Sequence, residues 1–241
     1  MEIKPREIAF SVAIVFVMVA LGFLLGSKIS DHIAETNEKF TTAAQITDDE
    51  QFQYALATDF GNVIAYGDLI AEQPVSADDL DGEYAILTKI TERYTMHTRE
   101  VTYTDSKGHT HTRTEIYWTW DRVKREEDST ETFSFMGVSF PADKFSVTAH
   151  QQGDTIYDSR LVRHYYEAVD ANMVGSIHTQ IKDHMIADNN RFYTDAEPQA
   201  IVNLAIRQGN IAIILFGVLW IALTGGAVYG FCALENRWLD G

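Results

Sequence analysis

The chain has 241 residues, a formal net charge of −16, a 46% hydrophobic composition and one cysteine. A single thiol excludes a disulfide framework and a cysteine zinc site, and so acidic a chain argues against nucleic acid as a partner. The charge is segregated: it cancels over residues 1–7, is −1 over 235–241 and is absent from two apolar runs, so residues 27–210 hold −15 of it.

The first apolar run, residues 8–26, is IAFSVAIVFVMVALGFLLG, and the second, 211–234, is IAIILFGVLWIALTGGAVYGFCAL. A helix rises ~1.5 Å per residue and a bilayer core is ~30 Å thick, so each run is long enough to span. Neither contains an ionisable Asp, Glu, Lys, Arg or His, so no proton or ion path through them is indicated. The first run is longer than a signal-peptide core of ~7–15 residues, and no A-x-A site follows it. It reads as an uncleaved signal anchor. Two spans put both termini on one side. Basic residues flank both sides of the spans, so the positive-inside signal is weak. With a large acidic domain between the spans, the expected topology is a cytoplasmic N-terminus (1–7), transmembrane helices at 8–26 and 211–234, an extracytoplasmic domain at 27–210 and a cytoplasmic tail (235–241).

Ile29, Ile33 and Phe40 continue at helical spacing, so the first span extends outward as a stalk. TDDE, 47–50, has the capping-box pattern with Thr47 as cap, although Phe52, Tyr54 and Leu56 also alternate as in a strand. From Asn62 the pattern turns to β. NVIAYGDLIA is rich in β-branched residues, with Gly67 a bulge or turn. EYAILTKITERYTMHTREVTY is a long strand. DRVKREEDSTE, 121–131, reads as a solvated charged connection. TETFSFMGVSF, 131–141, reads as one strand that Pro141 stops. LVRHYYEAV and SIHTQIKDHMI read as a further pair joined near Asn172 to Gly175. DAEPQAIVNLAIRQ then reads as a helix capped by Asp195 that runs into the second span, so that the two stalks lie side by side. The fold class is therefore α+β: two transmembrane helices flank a mostly antiparallel β extracytoplasmic domain with membrane-proximal stalk helices and a long protruding β-hairpin.

That hairpin is HTREVTYTDSKGHTHTRTEIYWTWD, 97–121. DSKG, 105–108, fits a type I turn followed by a glycine bulge. The turn implies a register in which paired residue numbers sum to 214. One face then pairs Arg99 with Glu115, Arg93 with Asp121 and His97 with Tyr117. The other pairs Tyr94 with Trp120 and Met96 with Trp118. A shift by one residue would separate both ion pairs and mix the faces. Twelve residues at ~3.3 Å each reach about 40 Å, so an aromatic base packs on the core and a polar tip projects. Tyr103, Lys107, His109 and His111 are the candidate interaction residues at that tip.

Asp105, His109 and His111 could together hold zinc or a similar ion, but two histidines and a carboxylate on a polar tip more often form only a solvated turn. His178 and His184 lie too far apart on one strand to share an ion. His32, His150 and His164 read as isolated. No G-x-S-x-G, H-E-x-x-H, P-loop or G-x-G-x-x-G occurs, so neither an enzyme nor a cofactor is expected. Gly22-x-x-x-Gly26 and Gly226-x-x-x-Gly230 have helix-packing spacing. They serve either to pack the two spans of one chain together or to drive a homo-oligomer.

The motifs HTR…TEIYWTWD, RHYYEAV with NNRFY, and YGFCALENRWLD make the C-terminal two thirds of the chain resemble uncharacterised two-span membrane proteins of Gram-positive bacteria and their phages. That resemblance brings no activity with it. The expected role is a non-enzymatic membrane-anchored protein, embedded in the lipid bilayer, whose outer domain binds a partner protein or itself through the hairpin. The alternatives are a metal-sensing domain at His109 and His111, and a membrane-active oligomer such as a pore or a phage exclusion factor.

Overall fold

The computed structural model describes residues 5–239. Residues 1–4 and 240–241, parts of the two expected end segments, lie outside the described residues. The chain divides into two compact units: a helical one from the two ends, and a β-rich one over Gln45–Ala196.

In the helical unit, α1 runs unbroken over Pro5–Thr41 and α3 over Pro198–Leu239. Both are long and apolar enough to cross a membrane. The stalks at 27–41 and 198–210 are thus the same helices as the apolar runs, and they group with them rather than with the β unit. The helices are antiparallel: Phe10 meets Phe231, Trp220 Nε1 donates to the Met18 carbonyl at 2.9 Å, and Gly209 lies against Ile33. The helix α3 starts at Pro198, because proline has no N–H to lose in a first turn. The expected Asp195 cap is not used. Asp195 has a left-handed backbone (φ 56°), and its N–H donates to the Val174 carbonyl instead.

In the β unit, α2 (Asp49–Ala57) is capped one residue later than TDDE suggests. Asp48 Oδ1 accepts from the Gln51 N–H at 3.1 Å. The helical period buries Phe52, Ala55 and Leu56 and leaves Tyr54 exposed, which resolves the strand-like alternation in favour of helix. The strands are β1 (Ala44–Ile46), β2 (Gly61–Ala71), β3 (Val75–Ala77), β4 (Leu80–Thr104), β5 (Thr110–Ser129), β6 (Thr132–Phe135), β7 (Val138–Pro141), β8 (Phe145–Ser146), β9 (His150–Ser159), β10 (Val162–Asp170), β11 (Asn172–Ile181) and β12 (Asn190–Thr194). They form two mostly antiparallel sheets. One has the order β7-β6-β2-β11-β12-β8 with β1 beside β2; the other has β3-β4-β10-β9 with β5 beside β4. Only β12 and β8 are parallel among the resolved pairs.

Four further expectations change. TETFSFMGVSF is two strands, because Met136 and Gly137 both take positive φ and close a tight turn between β6 and β7. The run Asp121–Ser129 is not a loop but the proximal half of β5, where Lys124 pairs with Glu126 and Arg125 with Glu127. Gly67 sits in regular register opposite Gly175, with no bulge. It is small because the Met136 side chain lies over it: an added Cβ would stand 2.6 Å from Met136 Cγ. Finally, β10 and β11 are consecutive but do not pair. The chain changes sheet at Ala171, whose carbonyl accepts from Ala71 N–H at 2.8 Å and whose N–H reaches Glu83 at 3.4 Å.

The larger sheet buries an aromatic cluster: Phe135 packs edge-on against Phe52 (5.5 Å) and meets Phe145 (5.8 Å) and Phe192 (6.3 Å). The smaller sheet has its own cluster of Tyr84, Leu87, Tyr166 and Ala168.

Candidate functional site: the β4–β5 ribbon

The strands β4 and β5 pair from Ile86↔Ser129 to Thr104↔Thr110, and from Glu92 to Thr104 they follow the expected register. Below Glu92 the register shifts by one, because Val123 is an extra residue in β5. The turn is built as its residues demand. Gly108 N–H donates to the Asp105 carbonyl at 3.0 Å, Asp105 N–H donates to the His109 carbonyl at 2.9 Å, and Gly108 takes φ 84°. β10 accompanies β4 only as far as Arg93↔Val162, with one further bond from Tyr94 N–H to the Leu161 carbonyl. Among the described residues, no third strand pairs with the ribbon beyond that point.

The two faces of the ribbon differ. On one, His97 Nε2 meets Asp121 at 2.6 Å, Arg99 and Arg113 both reach Glu115 (2.9 and 2.6 Å), and His97 stacks on Tyr117. Asp121 does stand opposite Arg93, but its carboxylate takes the Thr119 hydroxyl and His97, which lies four residues along β4 from Arg93 on the same face. Hydrogen bonds from Arg113 and then Arg99 hold the Glu115 carboxyl below its usual range, and those from Thr119 and His97 do the same for Asp121.

The other face is aromatic. Tyr94 stacks on Trp118 at 5.2 Å and tilts against Trp120. Trp120 in turn carries the Arg163 guanidinium 4.3 Å above it and Tyr157 at its edge. Arg163 is anchored by Glu92 at 2.7 Å. The alternation of β4 puts Tyr94 and Met96 on the same face as Thr88 and Ile90, which are fully buried. Past the Tyr94–Trp120 pair that face is no longer covered. Met96 is 51% exposed, Ile116 63% and Trp118 48%. The expected packing of the aromatic base on the core therefore does not extend to Met96, Ile116 or Trp118, because the layer that covers Ile90 ends before them.

At the tip, Asp105, His109 and His111 do converge. Asp105 Oδ1 accepts the Lys107 and His109 backbone N–H groups, both at 2.9 Å. Oδ2 lies 3.0 Å from His111 Nε2 and 3.5 Å from His109 Nδ1. Tyr103 stacks on His111, and Arg113 lies over Tyr103. No group of three or more His, Cys, Asp or Glu among the described residues is disposed to hold a metal ion. The carboxylate instead serves as the brace of the turn. His111 and then the His109 N–H lower its pKa from the ordinary 3.8. A depressed carboxyl contributes its full stabilisation above its unfolded value and loses it as pH falls through the lower folded value. The Lys107 and His109 amides should therefore share one acid transition that lies below the ordinary carboxylate value and is absent from an Asp105→Asn chain. An NMR titration in which that acid transition lies at or above the ordinary value, or differs between the two amides, would contradict this brace.

The sequence gives little sign of a second cluster. His164 is buried (3% exposed) between two acids, with Nδ1 3.0 Å from Asp158 and Nε2 3.4 Å from Asp79. Asp79 also accepts from Tyr166 and Lys89. The one available signal is that His164, Tyr166 and Ala168 alternate onto one strand face. His178 and His184 take separate partners, Asn62 and the Leu56 carbonyl. Of the glycines in the two apolar helices, Gly22 lies under the Trp220 indole, and a Cβ added at Gly26 would stand 3.4 Å from the Phe216 ring, so these two pack the helices of one chain. An added Cβ at Gly226 or Gly230 would meet nothing within 4 Å.

No protein-family model matches the chain, and no curated protein and no solved structure matches it.

Proposed function

We propose that the chain is a non-enzymatic membrane protein, anchored by α1 and α3 with its β unit on the extracytoplasmic side. The β4–β5 ribbon is its protruding interaction element, and it engages a partner protein or a second copy. One observation carries this reading: beyond the Tyr94–Trp120 pair the ribbon has no covering layer, yet its aromatic face of Tyr94, Met96, Ile116, Trp118 and Trp120 continues, and three of the five are about half exposed or more. Contiguous exposed apolar surface on a soluble unit marks interaction sites, and Tyr and Trp are enriched where binding energy concentrates. The tip residues Tyr103, Lys107, His109 and His111 supply the polar contacts. The convergence of His109 and His111 on Asp105 favours a second reading, a metal-sensing tip, but the carboxylate is already committed to the turn.

Deleting Tyr103–His111 and closing the strands with a two-residue turn should leave the thermal melt nearly unchanged while abolishing capture of co-purifying protein from membranes. Unchanged capture would overturn the assignment of the tip. Metal at stoichiometric level in the purified chain, lost in a His109→Ala/His111→Ala double variant, would favour the second reading.

A further inference from the structure

We propose that the outer edge of β5 pairs antiparallel with the same edge of a second copy, about a two-fold axis at Tyr117. This rests on the ribbon being the interaction element and names what one of its edges takes.

The backbone polarity of that edge follows from two bonds. Tyr94 N–H points away from β5, to Leu161, and Asp105 N–H points across to His109. Backbone groups alternate sides along a strand, so odd-numbered residues in this stretch bond across the ribbon. On β5 the N–H and C=O groups of Thr112, Thr114, Ile116, Trp118 and Trp120 therefore face outward. Among the described residues β5 pairs with β4 alone, so this is a free edge. Edges are usually defended by bulges and charges, and the proximal half of β5 is: it has the extra residue Val123 and the run Lys124–Asp128. The distal half, Thr112–Trp120, has no bulge and no run of charges. Its two charges, Arg113 and Glu115, lie on the opposite face from the tryptophans.

Self-pairing of an edge requires outward residues to meet outward residues. With the axis at Tyr117, Arg113 stands opposite Asp121 of the second copy, twice by symmetry, and Ile116 stands opposite its Trp118. The paired stretch, Thr112–Arg122, stops at the Val123 bulge in both copies. The aromatic faces of the two ribbons join on one side of a four-stranded sheet. An axis one residue further on sets Glu115 against Asp121, two like charges. An axis one residue back sets Arg113 against Thr119 and loses the ion pair. The free edge of β4 fits worse: an axis at Arg99 or Glu100 sets that charge against itself.

Tyr117 would occupy a non-hydrogen-bonded site, where facing Cα atoms are ~4.5 Å apart, within the ~4.4–6.8 Å that a disulfide spans. The test is oxidative cross-linking of the full chain in membranes, with Cys232→Ser as background. Tyr117→Cys should shift most of the chain to a reducible dimer band, and should still do so when Tyr103–His111 is deleted. Glu115→Cys and Thr119→Cys should each give little dimer alone and a strong dimer when co-expressed. No dimer band from Tyr117→Cys, or equal bands from either single control, overturns the proposal. If Tyr117→Cys fails while the tip deletion still abolishes partner capture, self-pairing falls and partner binding stands. If the dimer forms while capture is indifferent to the tip, partner binding falls and self-pairing stands.

Discussion

Phe135→Ala is expected to lower the melting temperature of the β unit by about 6–20 °C. The side chain is fully buried and sits at the centre of an aromatic cluster with Phe52, Phe145 and Phe192. Truncating a buried phenylalanine costs about 3–5 kcal/mol, as lost transfer energy plus the cavity left behind. For a domain of ~150–250 residues each kcal/mol moves the midpoint by about 2–4 °C. Trp118→Ala is the informative contrast. Trp118 is larger but half exposed, and its main contact is the stack on Tyr94. An aromatic pair contributes about 0.5–1.5 kcal/mol beyond its area burial, and about half of Trp118 already lies in water, so the midpoint should move by clearly less than for Phe135→Ala. Differential scanning fluorimetry of the detergent-solubilised chain separates the two. Equal losses would mean that the aromatic ribbon face helps to hold the fold, and would count against its role as an interaction surface.

Gly175→Val should prevent the β unit from accumulating in folded form. Gly175 is buried in β11, opposite Thr194 of β12. A Cβ built there would collide with the Tyr193 carbonyl oxygen and come within 2.9 Å of the Phe192 ring. The carbonyl belongs to the backbone and cannot rotate away, so β12 must leave β11. With it goes Phe192, which closes the cluster around Phe135. Overpacking alone costs about 1–3 kcal/mol, and lost strand pairing adds to it. Gly175→Ala should be milder but should still lower the midpoint. Gly108→Ala is the control, since its Cβ would meet nothing within 4 Å and only the positive φ of the turn is strained. Protease resistance of the purified chain reads all three. A Gly175→Val chain as resistant as the parent would show that β12 can yield without loss.

The two predictions share a logic that also applies to the ribbon. Phe135 and Gly175 are constrained on every side by other parts of the β unit, whereas Met96, Ile116 and Trp118 are constrained only by their ribbon neighbours. Substitutions at the first two read out as folding, and those at the last three as association.

Much of this was legible along the chain. Uninterrupted apolar runs announce the two long helices, because a helix apolar on every face has no water-facing side. Asp105 and Gly108 set the turn, the turn set the register, and strand alternation then sorted Tyr94, Met96, Trp118 and Trp120 from His97, Arg99, Glu115 and Asp121. These are local properties, fixed by backbone geometry within a few residues of each position. The remainder was not legible, because it depends on which distant segment arrives as neighbour. Nothing within β10 or β11 says that Ala171 carries the chain from one sheet to the other, nor that His164 will be enclosed by Asp79 and Asp158. Alternation likewise could place Ile90 and Met96 on one face but not tell that one is sealed and the other open. That difference arises where the covering layer ends, and only the tertiary structure decides where that is.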